Sequence, residues 1–144
     1  MTTRFRISFL LYILLIIFAF GGGLVYLLVP TVMPYHLQAI GMPWEGLPDG
    51  VRALLWVLVK IIGSISIILA SVMAALVLIP FRRGERWAVF TMPALGFLTN
   101  GIMLLATIYV RSKTGASTPV AMMAVSTGVV VAAFLLSLDF SRGR

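Results

Sequence analysis

Few side chains in this chain can do chemistry, and most of them fall in two places. The first is Lys60, which stands within an apolar run at residues 51–80 whose other charge, Arg52, lies at its edge. A cation inside a run long enough to cross a bilayer points to a ligand site or an ion path, because hydrocarbon solvates charge poorly. The competing reading is that the apolar stem lets the ammonium snorkel to the membrane surface. Ser64 lies one turn further along on the same face, with Ser71 beyond it on that stripe. In the third apolar run Asn100 falls at a depth close to that of Lys60 and Ser64, and Thr107 lies nearer the surface. A bundle that gathers Lys60, Ser64, Asn100 and Thr107 offers an ammonium and neutral hydrogen-bonding groups to the head of a lipid or small amphipathic ligand. The same groups serve equally as interhelical hydrogen bonds that fix helix register.

The second place is the segment at residues 30–50. It holds Pro30, Pro34, Pro43 and Pro48 together with Tyr35, His36, Trp44, Glu45 and Asp49. His36 is the only histidine. It changes charge near neutral pH, and Glu45 is a candidate to orient it, which would give acid–base chemistry on a lipid-soluble substrate such as a quinone. With Trp44 these residues would roof the Lys60 cluster. The plainer reading places Tyr35, His36 and Trp44 at headgroup depth. One histidine with scattered carboxylates is a poor ligand set for a metal. The chain has no cysteine, which removes disulfides, thiolate metal sites and cysteine nucleophiles together. No catalytic residue, metal or cofactor is assigned.

The elements that must position these groups are membrane helices. The chain is 61% hydrophobic and 10% charged, whereas a soluble domain carries about a quarter charged residues. The apolar residues form long runs at about 7–29, 51–80, 87–110 and 119–138. Each is long enough, at about 1.5 Å per helical residue, to cross or nearly cross the roughly 30 Å of hydrocarbon in a bilayer. A basic tip before an apolar run also describes a signal peptide, but this run is longer than an ordinary h-region and no clean cleavage site follows. Gly21-Gly22-Gly23 can bend the first helix or admit a neighbouring backbone. Residues 35–40 read as a short interfacial helix. Asp49 is expected to N-cap the second span, and Thr118-Pro119 to cap and open the fourth after a loop at residues 111–117. Ala124, Gly128 and Ala132 form a small-residue face for packing inside the bundle, against a second copy or against another membrane subunit. The fold class is therefore all-α: one integral membrane four-helix bundle, up-down-up-down, with a short interfacial segment between helices 1 and 2.

Net charge is +7, yet no soluble basic face exists to carry nucleic acid, which is excluded as a partner. The cations instead flank the spans. Arg4, Arg6, Arg82, Arg83, Arg86, Arg142 and Arg144 fall on one side, against Arg52, Arg111 and Lys113 on the other. The excess predicts both termini in the cytoplasm, in a bacterial inner (plasma) membrane. Arg82, Arg83 and Arg86 then face the inner leaflet, where they suit lipid phosphates, and Glu85 is expected to pair with one of them.

Several machines are argued against. A haem bundle needs an axial ligand within the helices, and the sole histidine lies between them. A proton-coupled exporter needs a carboxylate inside a span, and none of the four runs contains one. The two halves show no clear internal repeat, which removes support for an inverted-repeat transporter.

At Ile79-Pro80-Phe81-Arg82-Arg83-Gly84-Glu85-Arg86-Trp87-Ala88, and again at Thr114-Gly115-Ala116-Ser117-Thr118-Pro119, the chain resembles small uncharacterised bacterial four-span membrane proteins. Their layout is similar to that of the DoxX-like group. The resemblance implies a four-span fold and an accessory role beside quinone-dependent redox complexes, and it maps no functional residue onto this sequence. The leading expectation is a non-catalytic membrane protein that binds a lipid or small amphipathic ligand, or serves as a subunit of a membrane complex. An enzyme or redox accessory using His36 and Glu45 is the alternative, and a small transporter comes last.

Overall fold

The structure, a computed structural model, describes residues 2–141, with side chains through Leu138. Arg142 and Arg144, counted above toward the orientation, lie outside the described residues. Among the described residues there are five α-helices and no strands: α1 (Thr3–Leu28), α2 (Pro34–Ile40), α3 (Asp49–Leu76), α4 (Arg86–Thr114) and α5 (Val120–Ser141). Four stretches are long and apolar enough to cross a membrane: Thr3–Leu28, Asp49–Phe81, Arg86–Thr114 and Val120–Leu138. Their outer faces expose Leu10, Ile17, Leu54, Ile68, Leu105 and Val125, among many others. A water-soluble monomer does not carry apolar surface on that scale. Together these features suggest a multi-pass membrane protein.

The helices pack in a row more than in a closed ring. α1 lies along both α3 and α5, α4 lies along α5, and α3 and α4 touch each other only sparsely. Two close approaches at glycines accompany this arrangement. A Cβ on Gly63 of α3 would meet the Gly23 carbonyl oxygen at 2.8 Å, and a Cβ on Gly23 would meet the Gly63 oxygen at 2.9 Å. Of the three consecutive glycines only Gly23 is used this way; Gly21 and Gly22 have nothing within 4 Å, and α1 runs through them unbroken. On the other seam, a Cβ on Gly96 of α4 would stand 3.0 Å from the Val130 methyls of α5. The face that α5 buries is Ser126, Val130, Ala133 and Ser137. Ala124, Gly128 and Ala132 are exposed, so the small-residue stripe does not pack inside the bundle.

The core lies at the end of the bundle where α3 turns into α4. Proline lacks an N–H and clashes with the preceding turn. Pro80 accordingly widens the last turn of α3 into a π turn at Val77–Phe81, where Arg82 N–H reaches back to the Val77 oxygen at 3.1 Å. Gly84, at φ 73°, then supplies the left-handed residue that reverses the chain. This turn delivers Phe81 onto α1, stacked on Phe5 at 4.8 Å and edge-on to Tyr12 at 5.2 Å. Val77, Val89, Met92 and Ala133 close around the rings, all fully buried or nearly so. The Ser8 hydroxyl donates to the Ala133 carbonyl at 2.6 Å and ties α5 to α1 at the same level.

Three boundaries differ from the sequence reading. α4 runs on through Arg111, Ser112, Lys113 and Thr114, because Arg111 and Lys113 suit the negative end of the helix dipole and Gly115, at φ 70°, caps it in the left-handed region. Asp49 is not the N-cap of α3. It is the first helical residue and pairs with Arg52, while Pro48 holds the cap position without a side-chain bond. The Thr118 hydroxyl does not cap α5 either; it donates to the Thr107 carbonyl at 2.9 Å, fastening the α4–α5 loop to α4.

Candidate functional site

Lys60 is held by the end of α1. The last turn of any helix leaves carbonyls without a partner. Here the Tyr26 carbonyl would ordinarily receive the N–H of the residue four places on, which is Pro30 and has none. Lys60 Nζ fills the gap from α3, donating to the carbonyls of Leu27 at 2.8 Å, Tyr26 at 3.4 Å and Val29. An ammonium has three N–H groups, so these three acceptors take all of them. The charge also faces the negative end of the α1 dipole and lies 5.3 Å from the Trp56 ring, one turn back on its own helix. This lysine is a helix cap supplied by a neighbouring helix.

Beside it, Tyr26, Tyr35 and His36 gather where α1 meets α2. The two tyrosine hydroxyls are hydrogen-bonded to each other. The His36 ring lies edge-on to Tyr35 at 4.3 Å and to Tyr26 at 6.1 Å. Burial pushes the His36 imidazole below its ordinary pKa, so the ring is neutral near pH 7. Its Nδ1 is buried and has no hydrogen-bond partner among the described residues. Glu45, exposed in the short turn Trp44–Gly46, makes no bond to it. The carboxylate–histidine pair that acid–base chemistry would use is therefore not assembled, and Trp44, half-buried in the same turn, makes no polar contact with either residue.

Asn100 belongs to the other seam. Its side-chain oxygen accepts from the Ser126 hydroxyl of α5 at 2.8 Å, and its amide donates to the Gly96 carbonyl at 3.0 Å. Thr107 donates to the Leu104 carbonyl at 2.9 Å within its own helix. Ser64 is half-buried and makes no side-chain hydrogen bond to a described residue. The four polar residues expected to converge thus divide between two seams: Lys60 bonds to α1, and Asn100 bonds to α5. Glu85, expected to pair with an arginine, instead accepts from Trp87 Nε1 at 2.7 Å. Among the described residues no three histidines or carboxylates gather as a metal site.

One groove in the molecule is apolar. A groove of about 410 Å³ opens between α1 and α5, lined by Leu14, Leu15 and Phe18 on one side and Ala121, Met122, Val125 and Val129 on the other. Its one polar lining residue is Ser126, the partner of Asn100. Sequence reasoning missed this groove, and it missed Tyr26 and Gln38, whose side-chain oxygen accepts the Ser117 N–H at 3.0 Å and ties α2 to the α4–α5 loop. For Tyr26 a signal was available, since it stands four residues before a proline. No family model, no curated protein and no solved structure matches the chain.

Proposed function

We propose that the protein is a four-span, up-down-up-down membrane protein of the bacterial plasma membrane, with both termini cytoplasmic, and that it is not an enzyme. In this reading it holds the hydrocarbon chain of a lipid or small amphipathic ligand in the groove between α1 and α5. The carrying observation is the lining of that groove, apolar but for Ser126. Such a lining offers a hydrocarbon chain contact area.

Contacts between helices support the topology. Ser8 meets Ala133, and further along α1 the groove pairs Leu14 and Phe18 with Ala121 and Val125, an antiparallel progression. α1 meets the turn that ends α3 at Phe5–Phe81 and meets α3 itself at Leu27–Lys60. Twenty-odd helical residues separate the two levels, roughly 33 Å at 1.5 Å each, against roughly 30 Å of hydrocarbon. Lys60 then sits at the outer edge of the hydrocarbon, within reach of water.

Native mass spectrometry of protein released from its own membrane tests the ligand. A discrete lipid or amphiphile is expected to remain bound, and Val125→Trp, which fills the groove, is expected to remove it while the melting temperature holds. Undiminished retention in that variant overturns the reading. The subunit reading draws on a separate observation, the exposed Ala124, Gly128 and Ala132 stripe. Gly128→Leu should abolish a copurifying second copy or partner if that stripe is an interface.

A further inference from the structure

A second groove lies beside the α3–α4 turn. It has a volume of about 430 Å³ and is walled by Val72, Ala75, Leu76, Ile79 and Pro80, with Glu85 and Trp87 at its rim. Arg82, Arg83 and Arg86 come from the same turn, and all three are exposed. Three arginines around one glutamate would ordinarily be partly neutralised by it. Here the Trp87 indole N–H holds that carboxylate at 2.7 Å, and none of the three guanidinium groups makes an ion pair or hydrogen bond with a described residue.

From this combination we infer that the turn is a binding site for an anionic phospholipid of the leaflet it faces. The guanidinium groups take the lipid phosphate, for which their paired N–H donors are geometrically suited. One acyl chain lies in the groove along Val72, Ala75, Leu76 and Ile79. Trp87 stands between the two regions, at the headgroup level where tryptophan is favoured. Charge selects the occupant: a cationic rim above an apolar trough matches a molecule that carries a phosphate at one end and hydrocarbon at the other. The basic turn thereby becomes a composite site, distinct from an arginine cluster that only sets topology. It shares no residue with the α1–α5 groove, so either reading can fail without the other.

The test uses the full chain in nanodiscs or detergent, titrated with phosphatidylglycerol and with phosphatidylcholine of matched chains, and read by native mass spectrometry. The wild type should retain phosphatidylglycerol at least tenfold better. Replacing Arg82, Arg83 and Arg86 together by Gln should erase that preference. Ala75→Phe keeps every arginine and blocks the trough; it should lower phosphatidylglycerol retention severalfold at unchanged melting temperature. The inference is overturned if the triple variant keeps the preference or if Ala75→Phe has no effect. It is equally overturned if inorganic phosphate alone displaces the lipid from wild type and Ala75→Phe alike, which would make the turn a plain anion patch.

Discussion

The two ends of this bundle are held together by different physics. At the α3–α4 turn, Phe5, Tyr12, Phe81, Val77, Val89 and Met92 are fully buried against one another. At the other end Val32, Leu47, Val59 and Ala116 are buried, but the elements are tied by polar contacts: Lys60 on the carbonyls that close α1, Gln38 on Ser117 and Thr118 on Thr107. α4 records the change along its own length, since its buried residues Ala88, Val89, Met92, Pro93 and Gly96 all lie in its first half. Helices in lipid gain little from hiding apolar surface, because the lipid is as apolar as they are; close packing and hydrogen bonds hold them together instead. The ring-packed end has the first of these and the far end relies on the second. Local opening concentrates where dense packing is thin, which places it at the end away from the α3–α4 turn.

That contrast can be broken by mutation. Phe81→Ala removes the ring that Phe5 and Tyr12 both contact, and thermal melting in detergent should show a loss of about 2–4 kcal/mol, mostly from the cavity left behind. Gly63→Ala pushes a methyl against the Gly23 oxygen and the Leu27 nitrogen, both at 2.8 Å. It should cost about 1–3 kcal/mol as the two helices separate, whereas Gly22→Ala, with open space around it, should be neutral or slightly stabilising. Equal losses for Phe81→Ala and Gly63→Ala would mean that the two ends are equally tight.

Lys60→Met strips the donor from three carbonyls and should cost about 1–2 kcal/mol, with retention of an amphipathic ligand unchanged. Loss of the ligand at an unchanged melting temperature would instead return Lys60 to the binding site. The smallest effect is expected from pH. His36 is held below its ordinary pKa by burial, so the folded protein resists the proton that the unfolded chain accepts. Its contribution is complete above the ordinary histidine value of about 6.5 and falls as pH drops through that value toward the lowered folded one. Melting temperature should therefore decline on acidification below about pH 6.5, and His36→Gln should flatten that part of the decline.

The number of helices and their approximate limits were legible in the sequence because they depend on local quantities. Long apolar runs, prolines where helices stop, and the basic turn at Arg82 and Arg83 need no neighbour to be recognised. The fine limits were less legible: Gly115 could be seen as a stop, but not that α4 would keep Arg111 and Lys113 helical up to it. The candidate site was legible as a set of polar residues and illegible as an arrangement. Depth in the sequence placed Lys60 and Asn100 side by side, and the structure turned them toward different helices.

The reason is that α1 and α5 are apolar on every side, so no amphipathic stripe marks which face turns inward. By itself the sequence determined a chain of four oily helices with cations at their ends, since composition and run length suffice for that. Only the tertiary structure decided that α1 stands between α3 and α5, that Gly23 meets Gly63, and that Lys60 closes a helix whose own proline left it open. Those choices turn on shape complementarity between surfaces of nearly identical polarity, and shape appears only when the surfaces are brought together.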